Sequence, residues 1–357
     1  MAKLTIKEIA KMAGVSPTAV SFVINNREGV SEETRKIVRE VLERTNFQPS
    51  LNSRRLLLNK SFNISIVIRK TSSPFDDLFY LEIAKGLLEK SKEYGYNIVF
   101  TDISIENGRA ILPDIIKNED TDGIVFFQDT EDIILNEINK LDIPYVIADA
   151  HNSENSASSE KPDILNNSTS SGASFSDITS VNADYELAAY TAVRYLTSNG
   201  HKDIAYISSS FVPNFYLHTF EGYKRALEQA QVSVQPSWIQ VNAINEDSAY
   251  NCMKAILKSK FKPTAVFCTT DMFAIGAIKC AKDSGYKVPE DISFISIDDI
   301  FLANYIEPKL TTIRIDKFKM GTLAMELIID KIEGKSTESI TVDSDNLVIR
   351  ESVKKLA

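Results

Sequence analysis

TIKEIAKMAGVSPTAVSFVIN, residues 5–25, predicts two short helices joined by a tight turn. Apolar residues recur at helical spacing in the first half, and the opening TIKE fits a capping box that satisfies free amides of the first turn. Gly14 supplies the turn, because glycine enters left-handed backbone conformations without steric cost. Ser16 then caps the second helix, and Pro17 takes its first position, where a missing N–H costs nothing.

The residues that follow complete a small helical unit. A third helix is expected over 31–44. The core of the unit is expected to contain apolar residues of the second and third helices: Val20, Val23, Ile24, Ile37, Val38, Val41 and Leu42. A helix, a glycine turn and a second helix with one polar face form a helix-turn-helix, whose second helix enters the major groove of DNA. The sequence therefore predicts a DNA-binding unit.

Charge is distributed unevenly along the 357 residues, whose net charge is −9. Residues 1–60 contain 11 Lys and Arg against 6 Asp and Glu, a balance of +5. The remainder contains 29 against 43, a balance of −14. A cationic unit on an acidic body suits contact with phosphates without nonspecific binding by the whole protein. The length of the chain favours two or three folding units.

The stretch TIKEIAKMAGVSPTAVSFVINNREGVSEETRKIVREVLERTNFQP, residues 5–49, resembles the headpiece of the LacI/GalR family of bacterial transcription regulators, nearly without gaps. The resemblance implies a homodimer in which each subunit reads one half of a palindromic operator in double-stranded DNA. It also implies that a small-molecule effector bound to the body sets the affinity for DNA. We therefore expect a helix-turn-helix headpiece over 1–48.

A short segment, 49–60, follows the headpiece and begins at Pro49, which blocks continuation of the third helix. In the family the equivalent segment is a hinge helix that orders on operator DNA and inserts a leucine into the minor groove. Leu56 aligns with that leucine, and such apolar wedges unstack a base step. The alternative is that Leu56 packs on the body, as we expect for Leu57 and Leu58.

From residue 61 onward, short β-rich runs alternate with amphipathic segments. Strands are predicted at 64–68, 96–100, 123–127, 145–148, 204–207, 265–267 and 292–297. Helices are predicted at 79–94, 107–118, 131–140, 184–199, 216–231 and 271–284. Apolar runs joined by helical crossovers indicate parallel sheets covered on both faces, so we expect an α/β body of two doubly wound lobes with a cleft between them.

Four stretches of the body also resemble the effector domain of this family, whose fold is like that of the periplasmic sugar-binding proteins. They are SNGHKDIAYI at 198–207, FEGYKRALEQA at 220–230, PTAVFCTTDMFAIGAIKCAKDSGYKVPEDISFISIDD at 263–299 and PKLTTIRID at 308–316. By this likeness three strands cross between the lobes, and a helix over 316–333 lies in the first lobe. The effector-binding and dimerisation domain is expected over 61–357, with its lobes at about 61–180 plus 316–342 and about 181–315 plus 343–357.

One stretch departs from the resemblance. Residues 151–180, HNSENSASSEKPDILNNSTSSGASFSDITS, are rich in Ser and Asn and form a longer connection than the family usually has. The lack of apolar residues to bury favours a flexible insertion. The alternative is a lid over the cleft or a contact with a partner.

Base reading is expected from the second helix. Thr18 and Ser21 carry short hydroxyls that reach a base edge or a phosphate. Phe22 stands where the family usually has a long polar or basic reader, and it either packs on a thymine methyl or belongs to the headpiece core. Pro17 offers shape alone, so a half-site with T·A contacts rather than a G·C pair is expected. The remaining candidates for phosphate and groove contacts are Thr5, Ser16, Asn25, Ser31, Arg54 and Arg55.

Candidate effector residues lie mainly at predicted strand ends. By alignment, Asp298 matches an aspartate that hydrogen-bonds ligand hydroxyls in the family, and each carboxylate oxygen accepts two hydrogen bonds. The alternative is that Asp298 and Asp299 cap the next helix. The other candidates follow first-lobe strands or begin a first-lobe helix: Phe79, Tyr80, Asp129 and Asp149.

Two positions depart from the family pattern. Thr219 stands where members that bind sugars or purines usually carry an arginine, and Thr270 stands where sugar binders often carry an asparagine. Both changes remove long polar groups, so the effector is unusual or the pocket vestigial, with His218 as a replacement donor. We expect a sugar or sugar phosphate as effector and repression of a carbohydrate-utilisation operon. The alternative is a carbon-catabolite regulator controlled by a protein partner.

Enzymatic, metal and membrane functions are not expected. No GxGxxG, GxxxxGK[ST], GxSxG or HExxH occurs. Cys252, Cys268 and Cys280 fit no metal spacing and suit a reducing compartment. No signal peptide is recognised, and no apolar run approaches the roughly 18 residues of a membrane span. We therefore expect a cytoplasmic, nucleoid-associated regulator without a cofactor.

Overall fold

The computed structural model describes residues 4–24, 28–45, 47, 55, 58, 60–69, 78–150, 178–210 and 213–356. The chain divides into two compact units, Met1–Phe62 and Asn63–Ala357. The described part of the first unit is helical, and the second unit is built on two sheets.

The described residues of the first unit include three helices with resolved bounds: α1 (Ile6–Ala13), α2 (Pro17–Ile24) and α3 (Glu32–Thr45). The predicted capping box is confirmed, because the Thr5 N–H donates to the Glu8 carboxylate (2.7 Å) and the Glu8 N–H donates to the Thr5 hydroxyl (3.4 Å). Gly14 ends α1 with a φ of 68°, in the left-handed region that favours glycine. The Ser16 hydroxyl accepts from the Ala19 N–H (3.1 Å) and so caps α2.

Buried side chains from all three helices meet in one small core. They are Ile9, Ala10, Ala13, Val20, Val23, Val38 and Val41. Ile24 and Leu42 are partly buried against this core. The prediction that Ile37 belongs to it is wrong, because the Ile37 side chain is 42% exposed. Val38, Val41 and Leu42 share one face of α3 at spacings of three and four residues, and Ile37 lies beside that face.

The first sheet of the second unit has seven strands. They are β1 (Asn63–Arg69), β2 (Asn97–Glu106), β3 (Arg109–Ile111), β4 (Gly123–Phe127), β5 (Tyr145–Ala148), β6 (Ser180–Ala183) and β12 (Ile340–Val342). The strand order is β12-β6-β5-β4-β1-β2-β3, parallel except for the antiparallel pair of β2 and β3. Its helices are α4 (Leu78–Tyr94), α5 (Asp114–Lys117), α6 (Asp132–Lys140) and α11 (Lys317–Ile332).

The second sheet has six strands. They are β7 (Ile204–Ile207), β8 (Ile239–Gln240), β9 (Ala265–Cys268), β10 (Ser293–Asp298), β11 (Thr311–Arg314) and β13 (Asn346–Val348). The strand order is β13-β11-β10-β9-β7-β8, parallel except for β11 and β13. Its helices are α7 (Tyr185–Ser198), α8 (Pro213–Gln229), α9 (Glu246–Ile256) and α10 (Asp271–Asp283), with 3₁₀ turns at Pro236–Trp238 and Phe301–Asn304.

Alternate residues of the second sheet face two helical layers. Ala205 and Ile207 of β7 and Val266 of β9 pack in the core with α9 and α10. Tyr206, which lies between the two β7 residues, packs against Tyr223 of α8, with 5.1 Å between ring centroids. Burial on both faces explains why these strands have continuous apolar sequences. The predicted α/β fold with two parallel-sheet lobes is confirmed.

Three short segments connect the two sheets. The chain passes from β6 into α7 at Asp184, from β11 into α11 at 315–316, and from β12 into β13 at 343–345. α7 packs on the second sheet, and α11 packs on α4 and the first sheet. Because β6 belongs to the first sheet, the first crossing follows Ala183.

The prediction of a helix over 107–118 is wrong. β2 and β3 form an antiparallel hairpin in this part of the chain. Asn107 and Gly108 at its tip have φ values of 51° and 71°, the pair of left-handed conformations that two-residue hairpin turns favour. Within 107–118, only Asp114–Lys117 is helical. The turn preference of the Asn-Gly pair therefore decides the local structure.

The end of the expected insertion 151–180 belongs to the first sheet, which corrects that boundary. Ser180 begins β6, and both Thr179 and Ser180 are buried. Their hydroxyls pair with those of Thr337 (2.8 Å) and Ser339 (3.1 Å). Hydroxyl pairs thus order a segment that lacks large apolar side chains. The rest of the predicted insertion, 151–177, lies outside the described residues.

Candidate nucleic-acid interface and interlobe site

The first turn of α2 presents predicted base-reading residues at the surface. Ser16, Pro17 and Thr18 are exposed, and Ser21 is half-buried further along the helix. α2 carries no acidic side chain in its sequence PTAVSFVI, so no carboxylate of this helix would repel phosphate. The start of a helix also directs amide N–H groups and the positive end of its dipole toward an anion. This surface can therefore combine phosphate contact with hydrogen bonding to base edges.

Three predicted phosphate-contacting residues also cap helices. Thr5 and Ser16 cap α1 and α2, and the Ser31 hydroxyl accepts from the Thr34 N–H (3.3 Å) at the start of α3. All three capping residues are exposed. Replacing one of them would change helix stability as well as any DNA contact.

Phe22 lies at the edge of the headpiece, outside the core cluster of the three helices. Its side chain is half-buried. The ring lies beside Gly29, where an added Cβ would be 3.3 Å from a ring carbon. The loop between α2 and α3 thus covers part of the ring. The part that stays exposed offers an apolar surface of the kind that contacts a thymine methyl.

The structure describes only part of the hinge segment 49–60. Asn25, Arg54 and Leu56 lie outside the described residues, so their predicted DNA contacts stay predictions. Arg55 is described and half-buried. Leu58, which we expected to pack on the body, is 39% exposed.

Asp149 is the centre of a hydrogen-bonded group at the boundary of the two lobes. It follows β5 in the first lobe and is 2% exposed. Tyr80 of α4 donates its hydroxyl proton to Asp149 Oδ2 (2.6 Å), and Tyr185 at the start of α7 donates to Oδ1 (2.6 Å). Both carboxylate oxygens thus accept a charge-assisted hydrogen bond. The structure brings together the predicted residues Tyr80 and Asp149 and adds Tyr185.

Aromatic rings surround this carboxylate. Tyr80 stacks on Phe127 at the end of β4 (5.4 Å between centroids) and meets Phe79 edge-on (5.2 Å). Tyr185 meets Phe215 of α8 edge-on (4.8 Å). Burial, together with the neighbouring carboxylate charge, holds the pKa of Tyr185 well above its usual value. The Tyr185 hydroxyl therefore remains protonated and acts as a donor.

A second polar group lies where α11 begins. Lys317 is 5% exposed, and its Nζ donates to the backbone carbonyls of Asp298 and Ile315. The same Nζ lies 5.7 Å from the centroid of the Phe79 ring. Asp298, at the end of β10, is itself buried. Lys317 thus connects the end of a second-lobe strand with a first-lobe aromatic residue, and the predicted residues Phe79 and Asp298 lie at the same place.

Asp299 is held by two guanidinium groups and does not cap a helix. Its carboxylate accepts from Arg314 Nε (2.6 Å) and Arg350 (2.5 Å). Burial alone would raise the pKa of Asp299, but the two arginines lower it. The 3₁₀ turn Phe301–Asn304 that follows has no side-chain cap, so the alternative role of Asp298 and Asp299 as helix caps is wrong.

Asp271 joins three strand ends of the second sheet and was not predicted. Its buried carboxylate accepts from the hydroxyls of Ser296 (2.6 Å) and Thr312 (2.6 Å) and from the Ile300 N–H (2.8 Å). Burial raises the pKa of Asp271 to about 6, although these hydrogen bonds favour the charged form. The sequence carries a local signal, an aspartate that begins a helix three residues after a strand, but the partners lie 25 to 41 residues away.

Asp129 lines a pocket of about 340 Å³ at the carboxyl ends of β1, β2 and β4. The β2–β3 hairpin forms one wall through Ile103 and Ile105, and the start of α6 forms another. The walls are largely apolar, and Glu106 and Glu131 lie with Asp129 at the polar part of the lining. Phe127, which stacks on Tyr80 beside Asp149, also lines this pocket, and the effector role of Asp129 stays a prediction.

Three further predicted effector residues lie in the second lobe. Thr219 is fully buried, where its hydroxyl pairs with that of Tyr206 (2.8 Å) and donates to the Phe215 carbonyl (2.9 Å). Thr270 accepts from a backbone N–H of α10 and caps that helix. His218 is half-buried on α8. The hydroxyls of both threonines thus have structural partners, and an effector role for these three residues stays a prediction.

Non-glycine residues with positive φ follow or end three parallel strands. Gln128 after β4, Asp149 after β5 and Asp298 in β10 have φ values of 68°, 69° and 121°. For an L-residue the left-handed region costs about 1–2 kcal/mol. Backbone strain of this kind concentrates at functional sites, and ligands of α/β sheets bind beyond the carboxyl ends of the strands. Positive φ also occurs in turns elsewhere, at Asn107, Asp142 and Gln231, so the strain is consistent with a site at these strand ends but does not by itself define one.

The described residues contain no metal-binding cluster and no membrane-spanning helix. Among them, no group of three or more His, Cys, Asp or Glu side chains is arranged to hold a metal ion. No helix within the described ranges has the length and apolar character needed to cross a bilayer. Cys252, Cys268 and Cys280 are buried free thiols.

Known proteins match both units of the chain. Residues 5–50 match "Bacterial regulatory proteins, lacI family", and residues 193–353 match "Periplasmic binding protein-like domain". The HTH-type transcriptional repressor PurR of Pasteurella multocida (strain Pm70) is 32% identical over 358 residues, which covers 98% of each chain. The chain belongs to the lacI family of bacterial regulatory proteins. This lacI-family protein is a DNA-binding transcription regulator, and the resemblance drawn from its sequence is confirmed.

Two further likenesses extend over nearly the whole lacI-family chain. Catabolite control protein A of Priestia megaterium is 30% identical over 356 residues, covering 98% of this chain and 99% of that protein. The crystal structure of the lac repressor dimer bound to operator and the anti-inducer ONPF has a TM-score of 0.75 at 19% identity. The match covers 99% of this chain and 100% of the lac repressor chain. At this identity the likeness shows the fold alone.

Proposed function

We propose that this lacI-family regulator represses a carbohydrate-utilisation operon in response to a small molecule that binds between its two lobes. The observation that carries the proposal is the group of carboxylates and aromatic rings at the strand ends. Asp149, Phe79 and Tyr80 of the first lobe lie there together with Asp298 of the second lobe. A ligand in this position would contact both lobes and therefore favour one angle between them.

The chemistry of this group favours an uncharged polyol as the effector. Carboxylate oxygens accept hydrogen bonds from hydroxyl groups, and aromatic faces cover the apolar faces of sugar rings. Two buried carboxylates, those of Asp149 and Asp298, would disfavour a phosphate in surroundings of low dielectric constant, and the nearby Lys317 ammonium already donates to two backbone carbonyls. Of the two predicted classes, a sugar therefore fits better than a sugar phosphate.

DNA binding by a cytoplasmic homodimer is the second part of the proposal. Each subunit places α2 in the major groove of one half of a palindromic operator, and Thr18, Ser21 and Phe22 read bases there. Residues 49–60 form the hinge, and Leu56 inserts into the minor groove. Closure of the lobes around the effector changes the spacing of the two hinges and so couples effector binding to operator affinity.

Isothermal titration calorimetry of the full-length protein with a panel of neutral mono- and disaccharides tests the effector. We expect one sugar to bind and the corresponding sugar phosphate to bind more weakly. The same sugar should change the affinity for operator DNA measured by fluorescence anisotropy. Asp298→Asn should weaken sugar binding, whereas Asp203→Asn, at an exposed aspartate directly before β7, should leave it unchanged. Tighter binding of the sugar phosphate would contradict the proposed class.

A carbon-catabolite regulator controlled by a protein partner is the second candidate. Two observations favour it: both oxygens of Asp149 already accept hydrogen bonds, and the Thr219 hydroxyl is buried. The 30% identity to catabolite control protein A is consistent with this candidate. Titration with the phosphorylated phosphocarrier protein separates the two candidates, because binding of that protein without any sugar response favours the second.

A further inference from the structure

We infer that Tyr185 is a positioning residue whose hydroxyl ties the second lobe to Asp149 and thereby sets the angle between the lobes. The bond between Tyr185 and Asp149 acts as a latch across the crossing from β6 to α7. Its use by an effector rests on the proposed function, whereas the latch itself requires neither effector nor DNA.

The two ends of the bond belong to different lobes. Asp149 directly follows β5 in the middle of the first sheet, and Tyr80 of the first-lobe helix α4 holds its other oxygen. Tyr185 begins α7, which packs on the second sheet and on α8. The Tyr185 ring also lies edge-on to Phe215 of α8, so it is held by second-lobe contacts. A change in the lobe angle must therefore move the Tyr185 hydroxyl relative to Asp149.

The hydrogen bond between Tyr185 and Asp149 acts over a short range only. Its length of 2.6 Å is typical of a hydroxyl that donates to a carboxylate, and such a bond is lost beyond about 3.5 Å. Both partners are buried, so their separation would cost one charge-assisted hydrogen bond in surroundings of low dielectric constant. The lobes are thus expected to occupy a latched or an unlatched arrangement, with few intermediate angles.

The latch also explains what Tyr80 and Tyr185 do for the carboxylate. Each tyrosine donates its single hydroxyl proton to a different oxygen of Asp149, which fixes the plane of the carboxylate. The backbone of Asp149 has a φ of 69°, so its orientation is already unusual for a non-glycine residue. An effector that contacts Asp149 would meet a carboxylate oriented by both lobes, and replacement of the Tyr185 bond by an effector hydroxyl would release the latch.

Pulsed electron–electron double resonance on the full-length protein tests the latch by measuring the distance between two spin labels. Lys140→Cys on α6 and Lys258→Cys beyond α9 place one label on each lobe at exposed positions. The three native cysteines are buried, and burial raises their thiol pKa values, so they react slowly with the label. Mixing with unlabelled protein identifies any distance that arises between subunits.

Tyr185→Phe removes only the hydroxyl and should add a second, resolved population of interlobe distances to the single population of the parent. Tyr223→Phe is the matched control, because Tyr223 is also buried and donates to the Ile204 carbonyl (2.8 Å) within the second lobe. It should keep the single population. Asp149→Asn weakens the same latch from the other side and should reproduce the second population, which keeps the test intact if Tyr185→Phe does not fold.

An unchanged distance distribution in Tyr185→Phe, or an equal broadening in Tyr223→Phe, would overturn the inference. The first result would show that the bond does not constrain the lobes, and the second that any lost buried hydroxyl has the same effect. Because neither sugar nor DNA is present, this outcome is independent of the calorimetric test of the proposed function.

Discussion

Replacement of Asp271 by asparagine should change how the stability of the protein depends on pH. Burial raises the pKa of Asp271 in the folded chain to about 6 from an ordinary value of 3.8. A carboxyl with a raised pKa keeps its proton longer in the folded state than in the unfolded state. Its stabilising contribution is therefore fully present below about pH 4 and is lost as the pH rises through about 6.

The size of the effect follows from these two pKa values. A pKa raised from 3.8 to about 6 corresponds to roughly 3 kcal/mol over the whole titration. About 1.4 kcal/mol of this is lost between about pH 5 and pH 7.5. The amide of the variant does not titrate, so the variant does not lose this part of its free energy of unfolding as the pH rises. The asparagine amide has one acceptor oxygen, which can keep the Ile300 N–H bond, but its NH2 group then faces the Ser296 and Thr312 hydroxyls that now donate to the carboxylate, and losing these bonds costs about 1–3 kcal/mol at either pH.

Urea denaturation at about pH 5 and about pH 7.5 measures the difference in the free energy of unfolding between the parent and Asp271→Asn. The parent should be more stable than the variant by a margin that shrinks by about 1.4 kcal/mol as the pH rises. The exposed Asp345→Asn should show a constant margin. A margin for Asp271→Asn that stays constant, or grows with pH, would refute the reasoning that burial controls this carboxyl.

Three other substitutions test the packing and the DNA surface. Gly321→Ala should lower the melting temperature far more than Gly334→Ala. A Cβ at Gly321 would lie 2.0 Å from the Ile83 carbonyl oxygen, whereas Gly334 has open space and only its φ of 72° disfavours a side chain. Equal losses of melting temperature would contradict the close helix contact at Gly321. Phe22→Ala should cost about 1–3 kcal/mol of discrimination at one base pair in a half-site library, and a uniform loss over all half-sites would exclude a base contact. Tyr223→Phe should lower the free energy of unfolding by about 1 kcal/mol, and no loss would mean that its hydrogen bond is replaced.

Local chemistry made the headpiece predictable. The capping box at Thr5, the left-handed turn at Gly14 and the cap at Ser16 each depend on residues within a few positions of one another. Such signals are complete in the sequence, because side chain and backbone partners are neighbours in the chain. The same holds for the strands that are buried on both faces, whose apolar runs are uninterrupted.

Long-range partners made the interlobe site only partly predictable. Asp149 and Tyr80 were predicted as separate candidates, but their bond joins positions 69 residues apart. Tyr185 carries no sequence signal for its role, since the first position of a helix accepts many residue types. The strand β6 was missed because Thr179 and Ser180 are ordered by hydroxyl pairs with residues of 337–339 rather than by apolar burial.

Competing local preferences explain the error at 107–118. The segment 107–118 contains a hairpin because Asn107 and Gly108 adopt the paired left-handed conformations of a tight turn. That hairpin extends β2 and forms a wall of the pocket that contains Asp129. The misread turn therefore also concealed one wall of the pocket that Asp129 lines.

Selection of genomic fragments by the full-length protein, followed by sequencing, tests sequence-specific DNA recognition directly. We expect enrichment of a palindrome whose half-sites are about one helical turn, roughly 10 base pairs, apart, with an affinity that falls steeply as salt increases. Thr18→Ala should relax the preference at one position of each half-site. Absence of any enriched sequence at low salt, with and without a bound sugar, would contradict a regulator that reads DNA through α2.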